Sequence, residues 1–404
     1  MKLAKRPIAI DLFCGAGGMS LGFEQAGFDV VSAVEIDPVH AAVHGFNFPQ
    51  CKTMRSDVSG ISKSAFENAL GSQAIADIDA LFGGPPCQGF SVIGRRDEND
   101  QRNSLIHQFM RLVKELRPKY FVMENVAGLT IGYAKNLLDE AIAGIQASGY
   151  NVILPYRILD AKDFGIPQSR KRLFLIGCRN DQKLVEYPLP LAVSVTASDA
   201  IGDLPNIDLF EELMSSDCVG FEVKPLSDYA RILHGDKADS QDFSYPRIWD
   251  SIILTGSLRT VHSDVSRARF AETPLGKAEP ISRFYKLDPD GICTALRAGT
   301  DKSKGAHTSA RPIHYRDNRC ISVREAERLH SYPDWFRMHS TKWHGFREVG
   351  NSVPPLLARK VAAQVIKALG VRPEKPETAI SLGDPQSLYL NATAAREHYK
   401  TEEI

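Results

Sequence analysis

The first 180 or so residues alternate short β-branched runs with amphipathic stretches of helical length, and this alternation restricts the chain to few folds. Leu105, Phe109, Leu112 and Leu116, for example, fall at helical spacing directly before an apolar run. Strands that alternate with helices are typical of a parallel sheet covered by helices. The sequence therefore predicts an α/β domain, with strands at 8–13, 30–35, 52–56, 78–82, 120–124, 152–159 and 172–178.

Composition narrows the class of protein. The 404 residues are 43% hydrophobic and 24% charged, which is typical of a globular protein of two or three domains. Lys+Arg and Asp+Glu both number 49, so no overall basic field indicates a nucleic acid, although a local basic face would suffice. Seven cysteines without a C-x-x-C pair predict a reducing compartment and no metal site. The first apolar run is too short for a signal peptide or a membrane span, so we expect a cytoplasmic protein without membrane association.

The domain organisation follows from where the alternation stops. From about residue 185 to 330 it gives way to prolines, glycines and mixed charge, which indicates a second, more irregular domain. An apolar helix at 354–369 is expected to pack back on the first domain. We therefore predict a catalytic domain at 1–182 completed by 340–370, a second domain at 183–339, and a peripheral tail at 371–404.

A glycine-rich segment from Asp11 to Gly18 follows the first strand and opens a helix. Its glycines permit a tight turn and close approach of a ligand to backbone N–H groups. The dinucleotide fingerprint fails at Ser20, but Glu35 ends the second strand and could hydrogen-bond ribose hydroxyls. This favours a nucleoside-bearing cofactor over a purely structural turn. Asp57, after the third strand, could reach an adenine amino group or serve as a helix N-cap.

The sharpest motif is Gly-Gly-Pro-Pro-Cys-Gln-Gly-Phe-Ser at 83–91, directly after the fourth strand. Ligands bind at this carboxyl edge of an open α/β sheet. Cys87 stands in a rigid, polar-flanked loop, and its thiolate would be a strong nucleophile. The alternative, a buried inert thiol, suits Cys14 and Cys178 better because apolar strand residues surround them.

Two further motifs place polar groups near the same edge. Glu124 ends the fifth strand, where its carboxyl group could protonate a ring nitrogen or simply be solvated. Arg170 and Arg172 precede the last strand and share one face if the chain there is extended. Their guanidinium groups suit phosphate oxygens or a base carbonyl, and a solvated turn is the alternative.

The ordered set of motifs resembles the DNA (cytosine-5) methyltransferases of bacterial restriction–modification systems. His330 and Tyr332 depart from the pattern, since family members often carry Gln and Phe there, but neither touches a proposed catalytic group. The matching blocks, in family order, are Phe13-x-Gly15-x-Gly17-Gly18, Pro85-Pro86-Cys87-Gln88, Glu124-Asn125-Val126, Gln168-x-Arg170-x-Arg172, Arg324 to Leu329 with Pro333, and Gly350-Asn351-Ser352-Val353-Pro354.

The resemblance implies a Rossmann-like S-adenosylmethionine-dependent methyltransferase sheet with helices on both faces, plus a smaller irregular target-recognition domain. It implies sequence-specific methylation of carbon 5 of cytosine in double-stranded DNA. Cys87 would attack carbon 6 of a flipped base, Glu124 would act on ring nitrogen 3, and Arg170 would stabilise the base carbonyl. Arg172 completes the implied catalytic set.

The resemblance also implies a cofactor and partners. S-adenosylmethionine would be held by Phe13, Gly15, Gly17, Glu35, Ile36, Asp57, Asn351 and Val353. We expect a monomer in the bacterial cytoplasm that is paired in function, without a stable complex, with a restriction endonuclease. The polar segment 89–103 suits a loop that closes over DNA. The stretch 297–319 carries six Lys/Arg against two Asp and is the candidate for phosphate contacts, with a solvated basic loop as its alternative.

Two other functions fit the same residues. A member of this fold that methylates transfer RNA is the nearer one, although the Cys87 motif and the long region between Cys178 and roughly Asp288 favour DNA. The other is a non-catalytic DNA-binding regulator on the same scaffold, but such a protein has no need of a nucleophile. The DNA recognition sequence is not readable from the chain.

Overall fold

The computed structural model describes residues 6–86, 104–299 and 311–401. Within them, an eight-stranded sheet has the order β3-β2-β1-β4-β5-β9-β6, and β7 also pairs with β9. Its strands are β1 (Ile8–Leu12), β2 (Asp29–Glu35), β3 (Lys52–Arg55), β4 (Ala80–Gly83), β5 (Tyr120–Val126), β6 (Tyr150–Val152), β7 (Arg157–Asp160) and β9 (Lys171–Arg179), and β8 (Gln168–Ser169) lies outside it.

The first five strands of the sheet in chain order are mutually parallel, as predicted, and β6 and β7 run in the same direction, but β9 runs opposite to all of them. β9 runs antiparallel to β5, and both β6 and β7 run antiparallel to β9. The expectation of a wholly parallel sheet was therefore wrong, because β7 and β9 are joined without the helical crossover that a parallel pair needs. The single strand predicted at 152–159 is also divided, around Pro155, which has no N–H to donate to a ladder.

Helices cover both faces of the sheet, since side chains along each strand alternate between two apolar clusters. Phe82 and Val122 face the cluster that includes α1, whereas Leu81 and Phe121 face the one that includes α5. The helices of this domain are α1 (Gly18–Ala26), α2 (Pro38–Asn47), α3 (Lys63–Leu70), α4 (Ser72–Ile75), α5 (Ser104–Leu116) and α6 (Tyr133–Gln146).

The predicted return of the late apolar helix to the first domain is confirmed. α12 (Pro355–Leu369) packs on α1 so closely that a Cβ atom at Gly22 would lie 2.4 Å from Cβ of Ala358. Glycine is therefore required at this crossing. The helix buries Leu357 and Val361 in the same cluster as the sheet residues.

The region from 183 to 339 is irregular, as predicted, but its core is continuous with that of the sheet. Leu233, Leu254 and Leu329 belong to the same buried cluster as Phe82. Its elements, with those that follow, are α7 (Ala197–Ile201), β10 (Val219–Gly220), α8 (Asp228–His234), β11 (Arg247–Ile248), β12 (Ile253–Leu254), α9 (Asp264–Glu272), β13 (Cys293–Thr294), α10 (Val323–Leu329) and α11 (Lys342–Asn351).

The last residues are ordered against the first domain. β14 (Ile380–Ser381) pairs with β11, and α13 (Ala392–Thr401) packs on α2, where Tyr399 is buried with Ala41 and Ala42. None of the helices in the three described stretches has the length and apolar run needed to span a bilayer.

Candidate functional site

The carboxyl ends of β1, β4 and β5 lie side by side at one edge of the sheet. Leu12 pairs with Gly83, and Gly83 pairs with Met123, so the segments after these strands start together. A Cβ atom at Gly83 would lie 2.0 Å from the backbone oxygen of Leu12. Only glycine fits there. The glycine loop after β1 and the start of the 83–91 loop therefore leave the sheet next to each other.

Glu124 is buried at this edge, and among the described residues its cationic neighbour in contact is Arg172. Nε of Arg172 lies 2.9 Å from Oε1 of Glu124, and the antiparallel register of β9 places Arg172 opposite Val126. Burial raises the pKa of Glu124, while Arg172 and then Arg170 oppose the shift. A carboxyl group in this setting holds its proton to higher pH than an exposed one and is suited to donate it.

The start of the 83–91 loop lies directly against Glu124. A Cβ atom at Gly84 would be 2.7 Å from Oε2 of Glu124. Asn125 donates from Nδ2 to the backbone oxygen of Pro85 at 3.0 Å, and its Oδ1 accepts from the N–H of Val126. Gly84 and Asn125 received no role from the sequence, although Gly84 belongs to the 83–91 motif and Asn125 to a matching block.

The residue proposed as nucleophile, Cys87, lies outside the described residues, as does the segment 89–103. The first of the described stretches ends at Pro86, one residue before Cys87. The Asn125 hydrogen bond to Pro85 therefore anchors the chain two residues before the cysteine. The expected juxtaposition of Cys87 and Glu124 stays a prediction.

Arg170 does not face the site as the sequence suggested. Its side chain is buried and donates to three backbone oxygens, of Leu296, Gly350 and Ser352, at 2.7–2.8 Å. Arg170 lies between β8 and β9, whereas Arg172 lies within β9. The expected role of Arg170 at a base carbonyl conflicts with this burial, and Arg172 is the guanidinium next to Glu124.

The glycine loop after β1 is held by Glu35. Oε2 of Glu35 accepts from the N–H of Gly15 at 2.9 Å, and Oε1 accepts from the N–H of Asp37 at 2.8 Å. Burial raises the pKa of Glu35, and these two hydrogen bonds oppose the shift. Gly15 and Gly17 both have positive φ, of 55° and 106°, which explains glycine at these positions.

The residues predicted to hold a nucleoside fit such a group. Among the described residues, no atom lies within 4 Å of a Cβ built on Gly15, so they leave the space above the loop open. Beside it, Ile36 leaves 57% of its surface exposed, an unusual state for an isoleucine next to a buried strand. An apolar side chain, open backbone and a carboxylate with free lone pairs form a suitable cradle for adenosine.

The remaining predicted cofactor residues, Val353, Asn351 and Asp57, differ in burial. Val353 is buried, and its backbone oxygen would be 2.5 Å from a Cβ on Gly18, so the late motif contacts the glycine loop. Asn351 is exposed at the end of α11. Asp57 is also exposed and accepts from the N–H of Ser59; the N-cap of α3 is Ser62, not Asp57.

The basic stretch 297–319 is only partly a surface feature. Arg319 is buried in ion pairs with Asp317 and Glu325, and His314 is fully buried beside them. Because both side chains are buried, neither of these two residues can contact a DNA phosphate. Arg297 is exposed, and residues 300–310 lie outside the described part of the chain.

Comparison with known proteins gives concordant matches. The model of the C-5 cytosine-specific DNA methylase family matches residues 8–367. The type II methyltransferase M.XorII of Xanthomonas oryzae is 53% identical over 390 residues, which cover 96% of this chain and 92% of that protein. The type II methyltransferase M1.HphI of Haemophilus parahaemolyticus is 34% identical over 89% of this chain and 86% of its own.

Solved structures agree with the fold. A putative DNA modification methyltransferase encoded within an Escherichia coli prophage superposes with a TM-score of 0.75 at 32% identity, covering 90% of this chain and 100% of its own. The Dnmt2 methyltransferase of Schizosaccharomyces pombe gives a TM-score of 0.55 at 19% identity, over 91% of this chain and 100% of its own. The latter match supports the architecture alone.

Proposed function

Because the chain belongs to the C-5 cytosine-specific DNA methylase family and is a DNA cytosine-5 methyltransferase, we propose that Cys87, Glu124 and Arg172 carry out the transfer. One observation carries the proposal: a buried glutamic acid with a raised pKa contacts Arg172 at the base of the loop that bears the cysteine. An acid, a fixed cation and a nucleophile are the groups that activation of a pyrimidine ring requires.

In the proposed reaction, the Cys87 thiolate adds to carbon 6 of cytosine, and the ring electrons move towards nitrogen 3. Glu124 gives its proton to nitrogen 3, and Arg172 donates a hydrogen bond to the carbonyl oxygen at carbon 2. Carbon 5 is then nucleophilic enough to accept a methyl group. Loss of the carbon 5 proton to solvent and departure of the Cys87 sulfur as a thiolate restore the ring double bond. The proton on nitrogen 3 returns to Glu124, which regenerates the free enzyme.

The methyl group comes from S-adenosylmethionine when that cofactor is bound. The proposed pocket uses Glu35 for the ribose hydroxyls, Phe13 and Ile36 for the adenine faces, and Asp57 for its amino group. The backbone at Gly15 and Gly17, with Asn351 and Val353, completes the cradle. The open space above Gly15 and the exposed apolar surface of Ile36 support this assignment.

The DNA partner is proposed as a duplex from which the target base is flipped, since a stacked cytosine hides carbon 6. Residues 183–339 would read the sequence, and the exposed Arg297 would contact phosphate. Segment 89–103 would close over the DNA, and equal protease protection of it with and without DNA and cofactor product would contradict closure.

The biological role that we propose is protection of cytoplasmic DNA from a cognate restriction endonuclease, by a monomer that forms no stable complex with that enzyme. The type II names of the relatives support the pairing. Bisulfite sequencing of DNA from a host that expresses the chain tests activity and reveals the recognition sequence. A host genome without a methylated motif would contradict the proposal.

The decisive variant is Cys87→Ser, measured by transfer of labelled methyl groups to duplex DNA and, in parallel, to RNA. We expect transfer to DNA to fall to background while affinities for DNA and cofactor product persist. Cys218→Ser, a change at a partly buried thiol far along the chain, is the control and should remain active. Retained turnover by Cys87→Ser would refute the covalent mechanism, and labelling of RNA alone would overturn the DNA assignment.

A further inference from the structure

His330 follows α10 and is fully buried. Its Nδ1 lies 2.9 Å from Nε2 of Gln168, and its Nε2 lies 3.2 Å from the backbone oxygen of Ser352. Burial, together with nearby Arg170, lowers the pKa of His330 well below 6.5, so the ring is neutral. A neutral imidazole has one donor and one acceptor. Since the Gln168 amide donates to Nδ1, Nε2 carries the hydrogen and donates to Ser352.

The hydrogen bond from Gln168 to His330 connects this imidazole to the segment just before β9, the strand that carries Arg172. Gln168 accepts from the N–H of Leu296 at 3.1 Å and donates a second hydrogen bond to the backbone oxygen of Leu329. Both the oxygen and the nitrogen of the Gln168 amide are therefore hydrogen-bonded. The strand that carries Gln168, β8, pairs with β13. Arg172 lies on β9, which follows β8 in the chain, so a shift of Gln168 would also shift Arg172 relative to Glu124.

The Ser352 side leads to the proposed cofactor pocket. Ser352 precedes Val353, whose backbone oxygen closes on Gly18. The ring of Tyr332 stacks on His330, with centroids 5.9 Å apart and planes at 12°, and the Tyr332 hydroxyl would lie 2.6 Å from a Cβ on Gly18. Both residues that depart from the family pattern therefore meet at the turn that contacts the glycine loop.

We propose that His330 is a positioning residue, which holds the Ser352–Val353 turn and the strand of Arg172 in one fixed relation. The proposal rests on the functions proposed above for Arg172 and Val353. His330 supplies one acceptor and one donor to buried partners, and a leucine would leave Gln168 and Ser352 each without one. A glutamine amide carries both kinds of group and could replace the imidazole.

The test compares His330→Leu, His330→Asn and His330→Gln with the wild type. We expect His330→Leu to lower kcat about tenfold and to weaken calorimetric binding of S-adenosylhomocysteine about fivefold, since a buried donor and acceptor lose their partners. His330→Asn, too short to reach both partners, should behave in the same way and remains informative if the leucine variant does not fold. His330→Gln should stay within about threefold of wild type for both quantities.

The control is His339→Leu, which removes another buried imidazole that contacts Thr341 and the backbone oxygen of Leu390. It should lower the melting temperature without changing kcat or cofactor-product affinity. Wild-type values in His330→Leu and His330→Asn, equal damage in His330→Gln, or equal damage in His339→Leu would overturn the proposal. If the wild type transferred no methyl group, the proposed function would fail separately, and the affinities for S-adenosylhomocysteine would still decide the role of His330.

Discussion

Two buried glutamate–arginine pairs in this protein have opposite properties. In the first, Glu124 contacts Arg172 through a single guanidinium nitrogen, and burial raises the pKa of Glu124. In the second, both oxygens of Glu325 accept from Arg319, and Glu325 also accepts from the N–H of Ser322. Burial would raise the pKa of Glu325 too, but Arg319 and these hydrogen bonds lower it to about 2.

The difference shows how the same two residue types serve two purposes. A carboxylate that accepts three hydrogen bonds, two of them from a guanidinium group, is held in its charged form and stabilises the structure around α10. A carboxyl group with few partners in a buried place keeps its proton and is available for chemistry. Changes at the first pair should therefore affect rate, and changes at the second should affect stability.

The largest expected effect is on rate, at Glu124. Glu124→Gln should slow methyl transfer by a factor of about 10² to 10⁴, because an amide cannot give up a proton to the ring. Its melting temperature should not fall, since the change removes a poorly solvated acid. Single-turnover transfer and thermal unfolding measure the two quantities, with the exposed Glu186→Gln as control. An unchanged rate would remove Glu124 from the chemistry.

The second effect is on stability, at Glu325. Glu325→Gln should reduce the free energy of unfolding by about 3 kcal/mol, because Arg319 loses its bidentate partner and stays buried. Glu186→Gln breaks an exposed pair with Lys367 and should cost less than about 1 kcal/mol. Urea denaturation gives both values. A large loss of turnover in folded Glu325→Gln would erase the distinction between the two pairs.

Lowering the pH should also distinguish the two glutamate–arginine pairs, through their contributions to stability. The pKa of Glu325 is lowered in the folded protein, so its contribution to stability is present above the ordinary value of 4.5 and is lost as pH falls towards about 2. The difference in unfolding free energy between wild type and Glu325→Gln should thus shrink over this interval. Denaturation at a series of pH values measures it, and a difference independent of pH would contradict the lowered pKa.

The smallest expected effect tests the space around Glu124. Gly84→Ala places a methyl group 2.7 Å from Oε2 of Glu124, so the carboxyl group must move and kcat should fall about tenfold. Gly220→Ala is the matched control, because no atom lies within 4 Å of a Cβ there. Equal activity of both variants in steady-state assays would show that the exact position of Glu124 is unimportant.

Much of the fold was predictable because it depends on local patterns. The strands that end at Leu12, Glu35 and Gly83 were found from β-branched runs, and α12 from its apolar spacing. The direction of β9 was not, since strand direction depends on how a short connection crosses space. The docking of Tyr399 on α2 was also unpredicted, because the tail has no strong periodicity of its own.

For the candidate site, sequence reasoning gave the residue types and tertiary contacts separated their roles. Arg170 and Arg172 are chemically identical and two positions apart, so alternation alone could not show which guanidinium group lies next to Glu124. The backbone oxygens that bind Arg170 come from Leu296, Gly350 and Ser352, more than a hundred residues away. Only the folded chain brings those oxygens together.

By itself, the sequence determined the class of the protein: an α/β methyltransferase with a glycine loop, a cysteine loop and a glutamate at one sheet edge. These features are set by neighbours along the chain, where spacing dictates geometry. The tertiary structure decided which charged groups are engaged and which are held for reaction. Burial and hydrogen-bond partners set that difference. Burial raises the pKa of Glu124, whereas Arg319 and the N–H of Ser322 lower the pKa of Glu325 in spite of its burial.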